Sequence, residues 1–280
     1  MSSPVHIYSA KRRELRVRGV IREMIKGLIE SRYIGYRLAY RDIKAQYSQS
    51  ALGMFWDFMD PLVLAFIFHM LREGNVFSTG ETPMPYSVYT TYGLFMYATF
   101  VSSVMLSVNV MVNARNLLRQ QKFHPEALLI SIFYRVCFMS VFRIVVMLIF
   151  SFATGAFVLV GMLKFILLFP VLILAGMAIG VFLAPFNVVY RDVGRFASMI
   201  LVPLRFISPV LFVLPDTPLY NTITYCNPFA IILMNLRLLA TTNTMTDLLP
   251  LAIHLVILVA VGLVGWFIYH VSVPVLTDRA

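Results

Sequence analysis

The chain of 280 residues is too apolar to fold as a soluble domain. Hydrophobic residues make up 60% of it and charged residues 13%, whereas soluble domains have roughly half and a quarter. The mean hydropathy is +0.82, and the apolar residues form blocks of about 20, the length that crosses a hydrocarbon core. The sequence therefore predicts an all-α integral membrane protein.

The net charge of +10 is typical either of nucleic-acid binding or of contact with a membrane surface. Of the 23 Lys and Arg residues, 11 lie in the first 45 positions, beside the predicted spans. This placement favours the membrane surface, and we expect no nucleic-acid partner. Cys137 and Cys226 are too few for a disulfide framework, and we expect both thiols to be free.

Residues 1–50 are predicted to form a cytoplasmic N-terminal segment. From Val17 onward, apolar residues recur at helical spacing and Arg or Lys residues fill the opposite face, which is typical of an amphipathic helix that lies in the membrane interface. Aromatic and basic residues that suit an interfacial anchor follow it. The aromatic ones are Tyr33, Tyr36, Tyr40 and Tyr47.

Residues 51–280 are predicted to form one transmembrane domain with six spans. These spans are 51–71, 88–112, 128–153, 163–186, 196–214 and 250–273. A further apolar stretch at 228–240 is too short to cross, and it follows the Asn227–Pro228 pair. We expect it to form a re-entrant or surface hairpin before the last span.

The distribution of Lys and Arg between the loops predicts the orientation. The N-terminal segment, the second and fourth loops and the C-terminal tail hold 17 of these residues, and the loops on the other side hold 3. By the positive-inside rule, both termini are cytoplasmic.

No catalytic or metal-binding constellation is visible in the sequence. The five histidines are scattered without metal-ligand spacing, and no phosphate-binding Gly-x-x-x-x-Gly-Lys-Ser/Thr loop occurs. Asp57 and Asp60 are three residues apart, and they suit either paired carboxylate chemistry or interfacial salt bridges. We expect no catalytic residue, cofactor or metal in this chain.

Charged and aromatic residues within the predicted spans are candidates for a polar path. An arginine in the membrane needs a wet or paired environment, so it either lines such a path or snorkels and pairs with a carbonyl. Aromatic faces can stack on sugar rings, although helix packing explains them as well. The candidates are Tyr92, Tyr97, Phe100, Arg135, Phe138, Phe142, Arg143 and Arg205.

Two polar loops on the predicted cytoplasmic side are candidates for docking a soluble partner. Residues 113–127 form a basic stretch that ends in His124–Pro125, and Pro125 stands where a helix would begin. Residues 187–195 place Arg191 and Asp192 beside Tyr190. Plain connecting loops would account for the same residues.

Four stretches in register resemble the permease subunits of ABC-2 type transporters that export bacterial surface polysaccharides. The first, YRDIKAQYSQSALGMFWDFMDPL at 40–62, has the Arg-Asp pair, the Ser-x-Leu-Gly step, the Trp and the Pro of the family. NVVYRDVGR at 187–195, ISPVLF at 207–212 and NPFAIILMNLR at 227–237 follow in the family's order. The sequence departs from the family pattern at Asp57 and Asp60.

The resemblance implies the transmembrane half of an exporter in the bacterial inner membrane. It implies a homodimer with two copies of a cytoplasmic P-loop ATPase, which would bind ATP and Mg, and gate hairpins near 215–240. The substrate would be a lipid-linked polysaccharide, and periplasmic or outer-membrane export proteins are further candidate partners. The residues expected to receive the ATPase stroke are Arg115, Arg119, Lys122, His124, Tyr190, Arg191 and Asp192.

Within this family the sequence favours a capsular polysaccharide, because Arg143 and Arg205 would suit an acidic polymer and RQQKFHPEALLIS resembles the capsule exporters. O-antigen and teichoic acid are the alternatives. Two functions of other classes stay open: an integral-membrane enzyme that acts on a polyprenyl-linked sugar, and a passive channel.

Overall fold

The computed structural model describes residues 17–48, 50, 52–76, 82–120, 123–213 and 217–278. Within these ranges the only regular secondary structure is helical. The helices are α1 Val17–Glu30, α2 Arg32–Tyr47, α3 Trp56–Glu73, α4 Tyr86–Val108, α5 Val110–Asn113, α6 Arg115–Gln120, α7 Glu126–Ala153, α8 Leu159–Val189, α9 Asp192–Ile207, α10 Pro218–Cys226, α11 Pro228–Thr242 and α12 Leu248–Asp278, and a 3-10 turn at Gly53–Phe55 precedes α3.

Four helices have the length and the apolar composition to cross a membrane: α4, α7, α8 and α12. They coincide with four of the predicted spans, so the prediction of an all-α, multi-pass membrane protein is confirmed. The remaining two predicted spans contain α3, which carries four charged residues, and α9, which is 16 residues long. The count of six spans therefore stays a prediction.

Close packing of α4 against α8 forms the centre of the bundle. An added Cβ at Gly180 of α8 would lie 2.5 Å from the Val104 carbonyl oxygen of α4, and one at Gly176 would lie 2.6 Å from Ser103. The two helices run in the same direction. Helix α12 also runs parallel to α8, since Gly262 abuts Ala178 and Gly265 abuts Phe182. Small residues let these helices approach without an intervening side chain.

The contacts define two ends of the bundle. One end contains the start of α7, the end of α8 and the last turns of α12. We call it the basic end, because the Lys-rich and Arg-rich loops lie there. The opposite end contains Tyr86, where the Arg72 guanidinium lies 4.6 Å from the ring centroid, and Asn243, which accepts a hydrogen bond from Lys164 at 3.0 Å.

The helices α10 and α11 form the hairpin that the sequence predicts before the last span. They are bent by 90° at the Asn227–Pro228 break, where the Asn227 side chain caps α11 by accepting from two backbone N–H groups. Phe229 stacks on Phe100 halfway along α4, at 4.8 Å between ring centroids. Both connections of the hairpin lie at the opposite end, because Phe212 accepts from Tyr89 and Asn243 accepts from Lys164. The hairpin is therefore re-entrant.

The predicted fifth span at 196–214 is wrong in its second half. The helix α9 ends at Ile207, and Ser208 has extended backbone angles. Proline disfavours the helical conformation in the residue before it, so Pro209 ends the helix there. Residues 208–212 form turns that are held by Tyr89, whose hydroxyl donates to the Pro209 and Phe212 carbonyls.

The first helix has the amphipathic pattern that the sequence predicts. Val20 and Met24 are buried, whereas Ile21, Ile25 and Ile29 are exposed. Exposed apolar side chains beside basic ones suit a helix that lies in a membrane interface. Its position in the interface stays a prediction, as does the division of the chain at residue 50.

Candidate functional site

The loop between α8 and α9 presents polar residues at the basic end. Tyr190 is 69% exposed, and Arg191 and Asp192 are exposed beside it. Buried Asn187 holds this loop: its amide donates to the Val108 carbonyl and to Asn109, each at 3.1 Å, and accepts from the Gly194 N–H at 2.7 Å. One side chain thus joins the ends of α4 and α8 to the start of α9.

The second predicted coupling loop also lies at the basic end. Arg115 begins α6 and is exposed, and the His124 Nε2 lies 3.6 Å from the Glu30 carboxylate of α1. The side chain of Arg119 and all of Lys122 lie outside the described residues. Of the seven residues predicted to receive the ATPase stroke, four are therefore exposed and His124 lies against α1.

Arg135 lies between α2 and α7 rather than alone in the membrane. Its guanidinium is 3.6 Å from the Asp42 carboxylate and donates to Gln46 at 3.3 Å. Asp42 also accepts from Arg41 of the family motif at 2.7 Å. A groove of about 830 Å³ opens beside this network, and it is lined by the aromatic side chains of Tyr36, Tyr40, Tyr47, Tyr134 and Phe138, among others.

Arg143 is buried and is hydrogen-bonded to α4. It donates to Thr99 at 3.0 Å and to Ser102 at 3.2 Å, and it is 5% exposed. At 1.5 Å per residue, it lies roughly 25 Å along α7 from Glu126. Among the described residues it forms no salt bridge, although the Asp57 carboxylate is close enough to interact with its charge.

Tyr47 and Asp57 join the end of α2 to the start of α3, and the Tyr47 hydroxyl donates to the Asp57 carboxylate. Burial of the ring is the main cause that raises the pKa of Tyr47 above its ordinary value, and the hydrogen bond to Asp57 raises it further. Asp57 therefore has a hydrogen-bonded partner, whereas Asp60 is exposed.

The aromatic residues predicted for the channel divide into two groups. Tyr92, Tyr97 and Phe100 are buried inside the protomer, and the Tyr92 hydroxyl is hydrogen-bonded to Ser151 at 2.9 Å. Helix packing within the protomer accounts for their positions, and their place in a channel stays a prediction. Phe138 and Phe142 pack edge to face at 5.6 Å and are partly exposed, so they remain candidates for contact with a substrate.

Arg205 stacks on aromatic rings near the end of α9. Its guanidinium lies 5.1 Å from the Tyr97 ring centroid and 5.9 Å from that of Phe206. Cation–π contacts of this kind stabilise an arginine in an apolar environment. The side chain is half-buried, so its position suits both packing and a path for an anionic group.

Sequence reasoning missed two buried charged groups. Arg237 packs over Tyr89 at 3.7 Å from the ring centroid and contacts the Val210 carbonyl at 3.4 Å, so it holds the base of the hairpin. Glu126 is fully buried and bonds to His270 at 2.6 Å. The fourth family motif contains Arg237, but its partner is 148 positions away, and spacing along the sequence does not show such pairs.

Among the residues that the structure describes, no group of three His, Cys, Asp or Glu side chains could hold a metal ion. Both cysteines are free.

Comparison with known proteins identifies related chains. Residues 36–240 match the profile of a family described as ABC-2 type transporter. The chain is 25% identical to the O-antigen export system permease protein RfbA of Myxococcus xanthus, over 81% of this chain and 88% of that protein. It is 23% identical to the RfbA protein of Klebsiella pneumoniae, over 73% and 79% of the two chains.

Proposed function

We propose, because this chain belongs to the ABC-2 type transporter family, that it is the membrane subunit of an ATP-driven exporter. It moves a lipid-linked surface polysaccharide from the cytoplasm across the bacterial inner membrane. The observation that carries the proposal is the family match over residues 36–240. The exposed polar loops at the basic end and the re-entrant hairpin at the opposite end support it, since an exporter needs an ATPase contact and an external gate.

The polymer is an O-antigen or a related glycan. Both relatives are named as O-antigen export permeases, and this favours O-antigen over the capsular polysaccharide that the sequence suggests. A capsular polymer stays a prediction, because it depends only on the positive charge of Arg143 and Arg205, which would suit an acidic polymer.

Two copies of this chain work with two copies of a separate P-loop ATPase. The chain itself has no phosphate-binding loop. The ATPase binds the basic end, where Arg115, Tyr190, Arg191 and Asp192 are exposed, and the basic end faces the cytoplasm together with both termini. Arg119, Lys122 and His124 complete the contact.

The polymer passes the partly exposed face of α7 that carries Phe138 and Phe142. Arg143 supplies a buried positive charge on the same helix, and Phe138 and Phe142 supply partly exposed rings. Arg135 on α7 and Arg205 on α9 add further positive charge. Such a lining suits a polymer with anionic groups.

The first experiment is purification from native membranes in a mild detergent, followed by identification of the subunits by mass. We expect two copies of this chain with two copies of a P-loop ATPase. A monomer that carries no ATPase, even after crosslinking, would refute the proposal.

Deletion of the gene identifies the polymer. We expect loss of the lipopolysaccharide O-antigen ladder with polymer retained inside the cell, and recovery when the gene is restored. Loss of the capsule alone would support the capsular prediction instead. Intact surface glycans with no internal polymer would rule out export of either.

A further inference from the structure

The residues at the start of α7 are enclosed between the first and the last helix of the described chain. Glu126 is the first residue of α7, and it lies within the predicted docking loop of residues 113–127. It is 0% exposed. A buried carboxylate is costly unless it is hydrogen-bonded, so the groups that surround it determine whether this position is stable.

On one side, α12 supplies donors to this segment over successive positions. Glu126 Oε1 accepts from the Trp266 indole at 3.3 Å and lies 2.6 Å from His270 Nδ1. The hydroxyl of Tyr269 donates to the Pro125 carbonyl at 3.0 Å. The positive end of the α7 dipole also favours a carboxylate in the first turn. The segment 124–126 is therefore bonded to α12 through both a side chain and the backbone.

On the other side, α1 contacts the same segment directly. A Cβ added at Gly27 would lie 2.6 Å from Glu126 Oε2 and 3.3 Å from the His124 Cβ. This oxygen is buried and has no hydrogen-bond partner among the described residues. One turn along α1, Glu30 contacts His124 at 3.6 Å. Only a glycine lets α1 approach the carboxylate this closely.

We propose that residues 124–126 are the junction that passes movement of the ATPase contact to α1 and α12, with Glu126 as the positioning residue. This rests on the proposed function, in which the loop of residues 113–127 receives the ATPase stroke. A displacement of that stretch moves Glu126, which is bonded to α12 and abuts α1. The two helices then move together, although they are more than 200 residues apart in the sequence.

The test uses the complex of this chain with its ATPase in proteoliposomes, and it measures both ATP hydrolysis and polymer export. Glu126→Ala removes the side-chain bonds to Trp266 and His270. Gly27→Ala places a methyl group 2.6 Å from Glu126 Oε2, so either α1 or the carboxylate must shift. We expect each to lower the polymer exported per ATP by about tenfold or more while ATP hydrolysis continues. Gly19→Ala is the matched control on α1, because a Cβ there meets no atom within 4 Å.

Two further variants separate the junction from a general structural role. Glu126→Gln keeps an oxygen that can accept from Trp266 and His270, and we expect it to retain export per ATP within about twofold of wild type. The double variant of Glu126→Ala and His270→Ala is expected to be no worse than Glu126→Ala alone, because the two residues act as one unit.

The outcomes distinguish the junction from the function. If the wild-type complex exports no polymer, the proposed function fails and the junction fails with it. If the wild-type complex exports polymer, and Glu126→Ala and Gly27→Ala export as much polymer per ATP as wild type does, only the junction is refuted. A proportional loss of hydrolysis and export in both variants would show a merely structural role and would also refute it.

Discussion

Asn187 offers a quantitative test of how the loop at the basic end is held. Replacement by alanine removes its hydrogen bonds to Val108, Asn109 and Gly194. The Gly194 N–H is left buried without a partner, which costs about 1–3 kcal/mol. The two bonds between helices contribute about 0.6 kcal/mol each, the average that is measured in membrane proteins. We expect Asn187→Ala to lower the free energy of unfolding by about 2–4 kcal/mol.

Asn187→Asp tests the same site with almost unchanged volume. The aspartate keeps an acceptor for the Gly194 N–H, but it places a second oxygen against the Val108 carbonyl and the Asn109 side-chain oxygen. We therefore expect a loss at least as large as that of the alanine variant, since a buried charge would face two acceptors.

The assay is denaturant-induced unfolding in mixed micelles, monitored by far-ultraviolet circular dichroism. Asn113→Ala is the control, because this asparagine is exposed at the same end, and we expect it to change stability by less than about 0.5 kcal/mol. If Asn187→Ala is as stable as Asn113→Ala, the amide does not hold the three helix ends, and the reasoning fails.

Three further predictions test other parts of the molecule. Arg143→Leu is expected to lower export about tenfold without loss of stability, because the leucine replaces a buried charge; normal export would show that the arginine does not meet the polymer. Gly180→Ala is expected to cost about 1–3 kcal/mol by overpacking against α4, measured by the same unfolding assay. Above about pH 10 the unfolded chain loses the Tyr47 proton while the folded chain keeps it, so stability falls with pH more steeply in wild type than in Tyr47→Phe.

Each of these three predictions has a control variant. Export by Arg143→Leu is compared with that of Arg143→Lys, which keeps the charge. Gly180→Ala is compared with Gly19→Ala, and equal stabilities would contradict the close approach of α8 to α4. Parallel pH curves for wild type and Tyr47→Phe would contradict the raised pKa of the phenol.

The features that could be predicted from the sequence depend on local patterns. The helix at Val17 follows from apolar spacing, and the hairpin break follows from the Asn227–Pro228 pair, because proline cannot continue a helix and asparagine caps the next one. Four of the spans follow from the length of the apolar blocks alone. In each of these cases the physical cause lies within about 20 residues.

The features that could not be predicted depend on contacts between distant helices. Tyr92 and Phe100 are apolar enough for either a channel wall or a core, and only the neighbouring helices α7, α8 and α11 decide between the two. Glu126 sits in a polar loop sequence, yet it is fully buried because His270 and Trp266 lie above it. No periodicity marks such a pair, since its members are 140 or more residues apart.

The two arms of the re-entrant hairpin differ in how firmly they are held. Most of α11 is buried, and Arg237 fixes it to α4, whereas α10 has no buried residue. A hydrogen bond from the Asn227 amide to the Ser208 hydroxyl, at 2.8 Å, secures the corner between them. A swing of α10 about that corner would therefore expose almost no core surface. The helix α10 can therefore change its position while α11 stays packed, at a small fraction of the free energy that unfolding the bundle would require.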